Sequence, residues 1–457
     1  MKKVMNYIAL MAGLFILHPS LAQKQAPPEG GAPMDFKLPQ KQEKKLGNGL
    51  KTTFVKYGDI PKVNISLIIK TGNVHEGPDQ VWLADLTGKL LNQGTKDMNF
   101  TALSQKVAAM GGQVYISVGQ DQTTVSGAVL SDYAADFIKV IADLVINPAF
   151  PEGELNRLKS DLKRQLAVQK AVPQTQATEK FMEVVYRNSP YARYFPTEEM
   201  LDSYTLPMVK DFYSKNFGAK RSVLYVVGQF DEAAVSAAAN SAFGKWKAGP
   251  DPSYPSKATS FAPERIVVDR KSAPQTTIIL GLPVAAPSNP DYVAEIVANS
   301  LLGGSFGSRI TSNIRENKGY TYSPNAAVQN RKGGSVWMEN ADVTSEHTID
   351  AIREIEKEIK RLQTEAPSKD ELKGIQNYEA GIFVLRNSSP GGIIGQLNFL
   401  DLYGLPDTYL TNMVKSIHAV TPSQVSEIVK KYLPFDKMTL VMVGDKEAIE
   451  KQSGNQQ

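Results

Sequence analysis

Hydrophobic and polar positions along the chain follow two periods, and the switches between them lay out the elements. Residues 50–57 and 62–70 are apolar on alternate positions, as in VNISLIIK, which predicts two strands with one face turned inward. Helical spacing then predicts helices over 80–93 and 101–110. Gly111-Gly112 ends the second of these and opens a hairpin, QVYISVG followed by TTVSGAVL. Helices follow over 131–146, 152–170, 174–187 and 206–217. Further on, strands are predicted at 265–270 and 276–282 and a helix at 290–302. Helices laid against a largely antiparallel sheet make an α+β fold.

The pattern occurs twice. Residues 222–236 (SVLYVVGQFDEAAVS) give an apolar strand, a glycine and a helix start, and 438–449 (MTLVMVGDKEAI) repeat it with Gly228 and Gly444 216 residues apart. Val209 and Val425 keep the same offset, as do Phe212 and Ile428, and Glu154-Leu155 precede Glu371-Leu372 by 217. Offsets held over this length predict two homologous lobes; two unrelated α+β domains with similar endings are the alternative. Residues 245–264 (KWKAGPDPSYPSKATSFAPE) are dense in Pro, Gly and Ser without periodicity and read as the linker. The lobes then span 45–244 and 265–450.

The chain's start changes where the protein is expected to work. Lys2 and Lys3, an apolar run over Tyr7–Leu17 and Ser20-Leu21-Ala22 form a secretory signal over 1–22. The apolar run is short for a membrane span, which needs about 20 residues. An exported, periplasmic protein with no membrane span after cleavage is expected. Residues 23–44, polar and rich in Pro and Gly, read as a flexible leader. Without Lys2 and Lys3 the net charge falls from +4 to +2, and no basic cluster marks a nucleic-acid partner. Cysteine is absent, which suits an oxidising compartment.

The candidate chemistry lies in two segments. Residues 83–95 (LADLTGKLLNQGT) predict a short amphipathic helix ending in Gly94-Thr95, entered through a turn at 71–77. The four histidines, His18, His75, His347 and His418, are too far apart for any helical turn to present two of them. A lone His in the 71–77 turn, His75, reads as a surface residue. The setting resembles the zinc-binding segment of the insulinase, pitrilysin and mitochondrial processing peptidase family, whose members carry H-x-x-E-H on this helix. Counted back from Gly94-Thr95, those positions are Asp85, Gly88 and Lys89, and the third-ligand glutamate falls near Gln165 in LNRLKSDLKRQLAVQ. The resemblance therefore implies a member without its zinc site and no cofactor in this chain. An atypical metal site using Asp85 is the weaker alternative.

The second segment, GGSFGSRITSNIRENKGYTYS at 303–323, predicts a glycine turn, a short helix closed by Gly319 and a strand starting at YTYSPNAAV. Arg315 falls in the last helical turn and Tyr322 seven residues on. By themselves these read as a dipole-favoured arginine and a packed tyrosine. The family carries an arginine and a tyrosine at this spacing, facing the zinc across a closed chamber. The resemblance implies that Arg315 and Tyr322 assist a site whose zinc sits on a homologous partner subunit, with Gly303, Gly304 and Gly307 giving room for a peptide substrate. The expected protein is a non-catalytic subunit of an exported zinc endopeptidase. A peptide-binding or assembly protein with no part in proteolysis is the alternative.

Overall fold

In the computed structural model, which describes residues 36–255 and 261–454, two sheets of matching order carry the fold. The signal segment lies outside the described residues. In the first lobe the strands are β1 (Lys41–Lys45), β2 (Lys51–Lys56), β3 (Lys62–Ile69), β4 (Tyr115–Val118), β5 (Thr123–Leu130) and β6 (Ser222–Gly228). Helices α1 (Leu83–Leu91), α2 (Glu152–Ala171) and α3 (Pro173–Val185) belong to the same lobe. The second lobe has β7 (Arg265–Asp269), β8 (Gln275–Val284), β9 (Asn325–Gln329), β10 (Ser335–Thr344) and β11 (Thr439–Gly444). Its helices include α4 (Tyr292–Asn299), α5 (Lys369–Arg386) and α6 (Pro390–Tyr403).

The sheets run β1-β2-β6-β3-β5-β4 and β7-β11-β8-β10-β9. Without β1 the orders are the same, and each sheet holds one parallel pair, β2 with β6 and β7 with β11, in an otherwise antiparallel sheet. The two-lobe α+β architecture expected from the repeat is present. One correction concerns the leader: its residues 41–44 are not flexible but belong to β1, which pairs with β2 in register from Lys41 against Val55 to Lys45 against Lys51. KQEKK has no apolar residue to announce a strand. It forms because the open edge of β2 offers unpaired backbone groups.

Both sheets are buried on both faces, which explains why β6 (SVLYVVG) is buried at every residue. One face of the first sheet (Phe54, Ile65, Leu67, Leu224, Val226) packs on the helices of its own lobe. The opposite face (Val55, Ile68, Val223, Tyr225, Val227) is covered by Ile393, Ile394 and Leu397 of α6, from the second lobe. The second sheet mirrors this: Ile279, Val336, Met338, Val441 and Val443 are covered by Ala177, Phe181, Met182 and Val185 of α3, from the first lobe. The lobes thus exchange a helix. Each exchanged helix starts with proline at its first turn, Pro173 and Pro390, 217 residues apart.

Polar contacts close the same joint. Asp401 of α6 pairs with Lys70 at 2.5 Å and Lys51 at 3.1 Å, and the amides of Gln122 and Asn398 bond reciprocally at 3.0 and 2.9 Å. Leu397→Ala should cost about 2–4 kcal/mol, the range for truncating a buried leucine, and should lower the melting of both lobes together. A two-step melt in which the second lobe keeps its transition temperature would contradict the exchange as the unit of cooperativity.

Candidate functional site

Helix α1 places the first segment. Glu76, buried in the preceding turn, accepts hydrogen bonds from Trp82 N–H at 3.1 Å and Ala84 N–H at 2.8 Å. It thereby caps the helix and holds Trp82 in a left-handed conformation, φ +68°. The Asn73 amide bridges Glu76 Oε1 at 3.2 Å and Asp85 Oδ2 at 2.6 Å. Burial pushes Glu76 up to about 8, and the Asp85 charge adds to the rise. Burial likewise pushes Asp85 up to about 6, against the Asn73 hydrogen bond and the Lys89 charge. Beyond an acid within the turn, nothing in the sequence pattern marks the Glu76 cap.

These residues do not fit zinc. Asp85 is committed to Asn73, Lys89 adds a cation one helical turn on, and Gln165 is exposed on α2. Gly88 has no side chain to offer, and a Cβ there would lie 2.7 Å from Val118 Cγ2 of the β4–β5 hairpin. A glutamate restored at 88 would first have to displace Val118. Among the described residues, no three His, Asp or Glu side chains are grouped to hold a metal ion. His75 is half-buried rather than a surface residue: Nε2–H donates to Ser253 O at 2.8 Å, and Nδ1 accepts from Gly72 N–H at 3.1 Å. Burial lowers its pKa, which suits the neutral ring these bonds require. It fastens the linker to the first lobe.

The second segment brings its residues together. The chain runs through two π-helical turns, Ser300–Gly304 and Ser312–Asn317, separated by the Gly-rich turn and a single α-helical turn at Arg309–Thr311. Gly319 closes the second with φ +66°, as expected. The strand predicted from Tyr320 begins only at Asn325, so Tyr322 stands in a loop. Tyr320 stacks on His347 at 4.4 Å, and Thr321 Oγ1 donates to Asp342 O at 2.7 Å. Anchored on both, the loop presents Tyr322 outward, 83% exposed.

The Arg315 guanidinium lies over the Tyr322 ring, 5.2 Å from its centre, and over the Phe306 ring, 4.2 Å from its centre. Its other contact is Glu316 Oε1 at 3.4 Å. Phe306, 73% exposed, was not singled out in the sequence; its place between Gly304 and Gly307 was the available signal. Gly303 and Gly304 have packing reasons to be glycine. A Cβ on Gly303 would sit 2.7 Å from Ala326 Cβ and 2.8 Å from Glu339 Oε2, and one on Gly304 2.4 Å from Asn299 Nδ2. Gly307 faces open space.

A duplicated two-lobe fold, a peptidase-type helix stripped of ligands and a grouped Arg–Tyr pair define a metallopeptidase homologue without its own metal site. A family model described as Insulinase (Peptidase family M16) matches residues 56–196, and one described as Peptidase M16 inactive domain matches 203–378. The chain is 24% identical over 336 residues to an uncharacterized zinc protease of Rickettsia bellii, covering 71% of this chain and 79% of that one. It is 21% identical over 395 residues to a Helicobacter pylori protein named non-peptidase homolog YmxG, covering 85% and 90%. The crystal structure of a peptidase M16 inactive domain from Pseudomonas fluorescens superposes with a TM-score of 0.83 at 25% identity, over 89% of this chain and 98% of that one. The chain belongs to the insulinase family, peptidase family M16, as an inactive member.

The purified chain is therefore expected to retain no stoichiometric zinc after dialysis and to cleave no peptide alone. Elemental analysis decides this. About one zinc per chain, with cleavage blocked by a chelator, would overturn the reading of Asp85, Gly88, Lys89 and Gln165.

Proposed function

We propose that this chain is the non-catalytic subunit of an exported zinc endopeptidase. It pairs with a zinc-bearing homologue and supplies Arg315 and Tyr322 to the peptide held between them. The observation that carries this reading is the grouping of a largely buried Arg315 with an exposed Tyr322 in a chain whose own ligand positions hold no ligand set. Hydrolysis of a peptide builds negative charge on the carbonyl oxygen, and a guanidinium and a phenol hydroxyl are both strong donors to it. Zinc belongs to the partner; this chain orients the peptide and stabilises its developing charge. The exposure of Tyr322 supports the reading, since a donor meant for a ligand must be left free.

The test is recovery of the tagged chain from its native cells, with identification of the chains that come with it and assay on a quenched-fluorescent peptide. A co-purifying homologue with an intact H-x-x-E-H and chelator-sensitive cleavage is the expected result. Recovery without such a homologue would favour the peptide-binding or assembly reading.

A further inference from the structure

Phe306 presents a ring that is mostly in water, on a turn between two glycines, with a guanidinium against it. A single exposed phenylalanine is common on protein surfaces and by itself implies nothing. Here it gives the Arg315 head a surface to lie on, at a distance where an arginine is attracted to the ring face. The Arg315 side chain is 21% exposed, so packing holds its stem and the rings act on its head. Its acidic neighbour Glu316 is 3.4 Å away, itself largely exposed, and adjacent in sequence, so the pair restricts the long side chain weakly. A guanidinium carries its five N–H groups in one plane. With one ring centre 4.2 Å and another 5.2 Å from its carbon, the N–H groups turned away from the rings are those left for a carbonyl or carboxylate oxygen.

Backbone features fix the ring in turn. Ser308 N–H donates to Ser305 O at 3.0 Å, closing the turn around Phe306, and the Ser308 hydroxyl caps the following helical turn by accepting from Thr311 N–H at 3.4 Å. The neighbouring Gly303 and Gly304 are locked by packing against Ala326 and Asn299. The ring is therefore carried on a fixed turn, whereas Arg315 hangs from a π-helical one. Such turns recur at functional sites.

We propose that Phe306 is a positioning residue for Arg315, holding the guanidinium edge-on so that its in-plane N–H groups meet an acceptor oxygen of the bound peptide. Tyr322 bounds the same head from its own loop. The effect on turnover rests on the proposed role of Arg315; the effect on Arg315 itself does not.

Two measurements test it. In the isolated chain labelled on arginine, the Arg315 Nε–Hε resonance, assigned by its loss in Arg315→Lys, is expected to be displaced upfield by the ring. It should move toward the free-arginine position in Phe306→Leu and return in Phe306→Tyr. In the complex recovered with the tagged chain, Phe306→Leu should lower kcat on a quenched-fluorescent peptide by about 5- to 10-fold, the scale of one cation–π contact, with KM nearly unchanged. Phe306→Tyr should restore it. In an Arg315→Ala background, Phe306→Leu should have no further effect. An unmoved Arg315 resonance in Phe306→Leu overturns the proposal, as does a Phe306→Leu loss that persists without Arg315, which would make Phe306 a direct contact of the peptide. If the recovered complex cleaves nothing, the subunit reading fails and the resonance alone decides the role of Phe306.

Discussion

Arg315→Ala, and separately Tyr322→Phe, should each lower turnover of the reconstituted complex by about 100-fold, as for a lost oxyanion donor, while melting temperature and association stay nearly constant. The structure sharpens the separation between these readouts. Tyr322 is 83% exposed, so deleting its hydroxyl opens no cavity and strands no buried partner. Arg315 lies over two exposed rings and beside an exposed acid, and although its side chain is only 21% exposed it is not one of the apolar residues of the lobe's core (Ile310, Ile314, Trp337). If the pair were structural instead, each variant would lose about 1 kcal/mol or more of stability at unchanged turnover per folded complex. Normal turnover in both variants would favour a peptide-binding or assembly protein.

The second large effect is on stability against pH. Burial pushes Glu295 up to about 8 and Glu76 to about 8, pushes Asp85 to about 6, and raises Glu339 on β10. Each of these acids holds its proton more tightly folded than unfolded. Their contribution is therefore complete below the unfolded carboxylate range, near pH 4, and is lost as the pH rises toward about 8. For Glu295 alone the loss by pH 7 is about 3 kcal/mol, at 1.36 kcal/mol per unit. Asp401 works the other way: burial raises its pKa, but Lys70 and Lys51 outweigh that and hold it low, so its contribution fades only at acid pH, below this window. The melting temperature of the isolated chain should therefore be higher at pH 5 than at pH 8, and Glu295→Gln should flatten that slope. Equal melting temperatures at the two pH values, with Glu295→Gln neutral, would show these acids to be ionised in the folded chain.

Much of the architecture was legible because it repeats. The strand–Gly–helix pattern at Gly228 and Gly444, with the 216-residue offset carried by Val209 and Val425, pointed to two lobes, and the two sheets match strand for strand apart from β1. The exchange of α3 and α6 was not legible. Periodicity over 174–187 places Phe181 on an apolar helix face but does not show which sheet receives that face, and residues 390–403 are apolar without a single face, since both choices are made by contacts distant in sequence. The start of β9 was misplaced because Tyr320-Thr321-Tyr322 has strand composition. Tyr320 and Thr321 do reach β10, through Thr344 N–H donating to Tyr320 O at 3.0 Å and an isolated bridge from Thr321 to Val343, but the ladder is broken before Asn325. The Arg315–Tyr322 pair is legible only through the resemblance to the family, whereas Phe306 is joined to it only in three dimensions.

The crossed helices also say how such a scaffold tolerates replacement of its chemistry. Its two sheets are clasped by Ile393, Ile394 and Leu397 on one side and by Phe181, Met182 and Val185 on the other, none of them in the segment that carries Asp85, Gly88 and Lys89. A substitution at a ligand position leaves that clasp closed. On the proposed pairing, the same shell is kept while the reactive groups sit on another chain, and this chain would serve as one wall of the chamber.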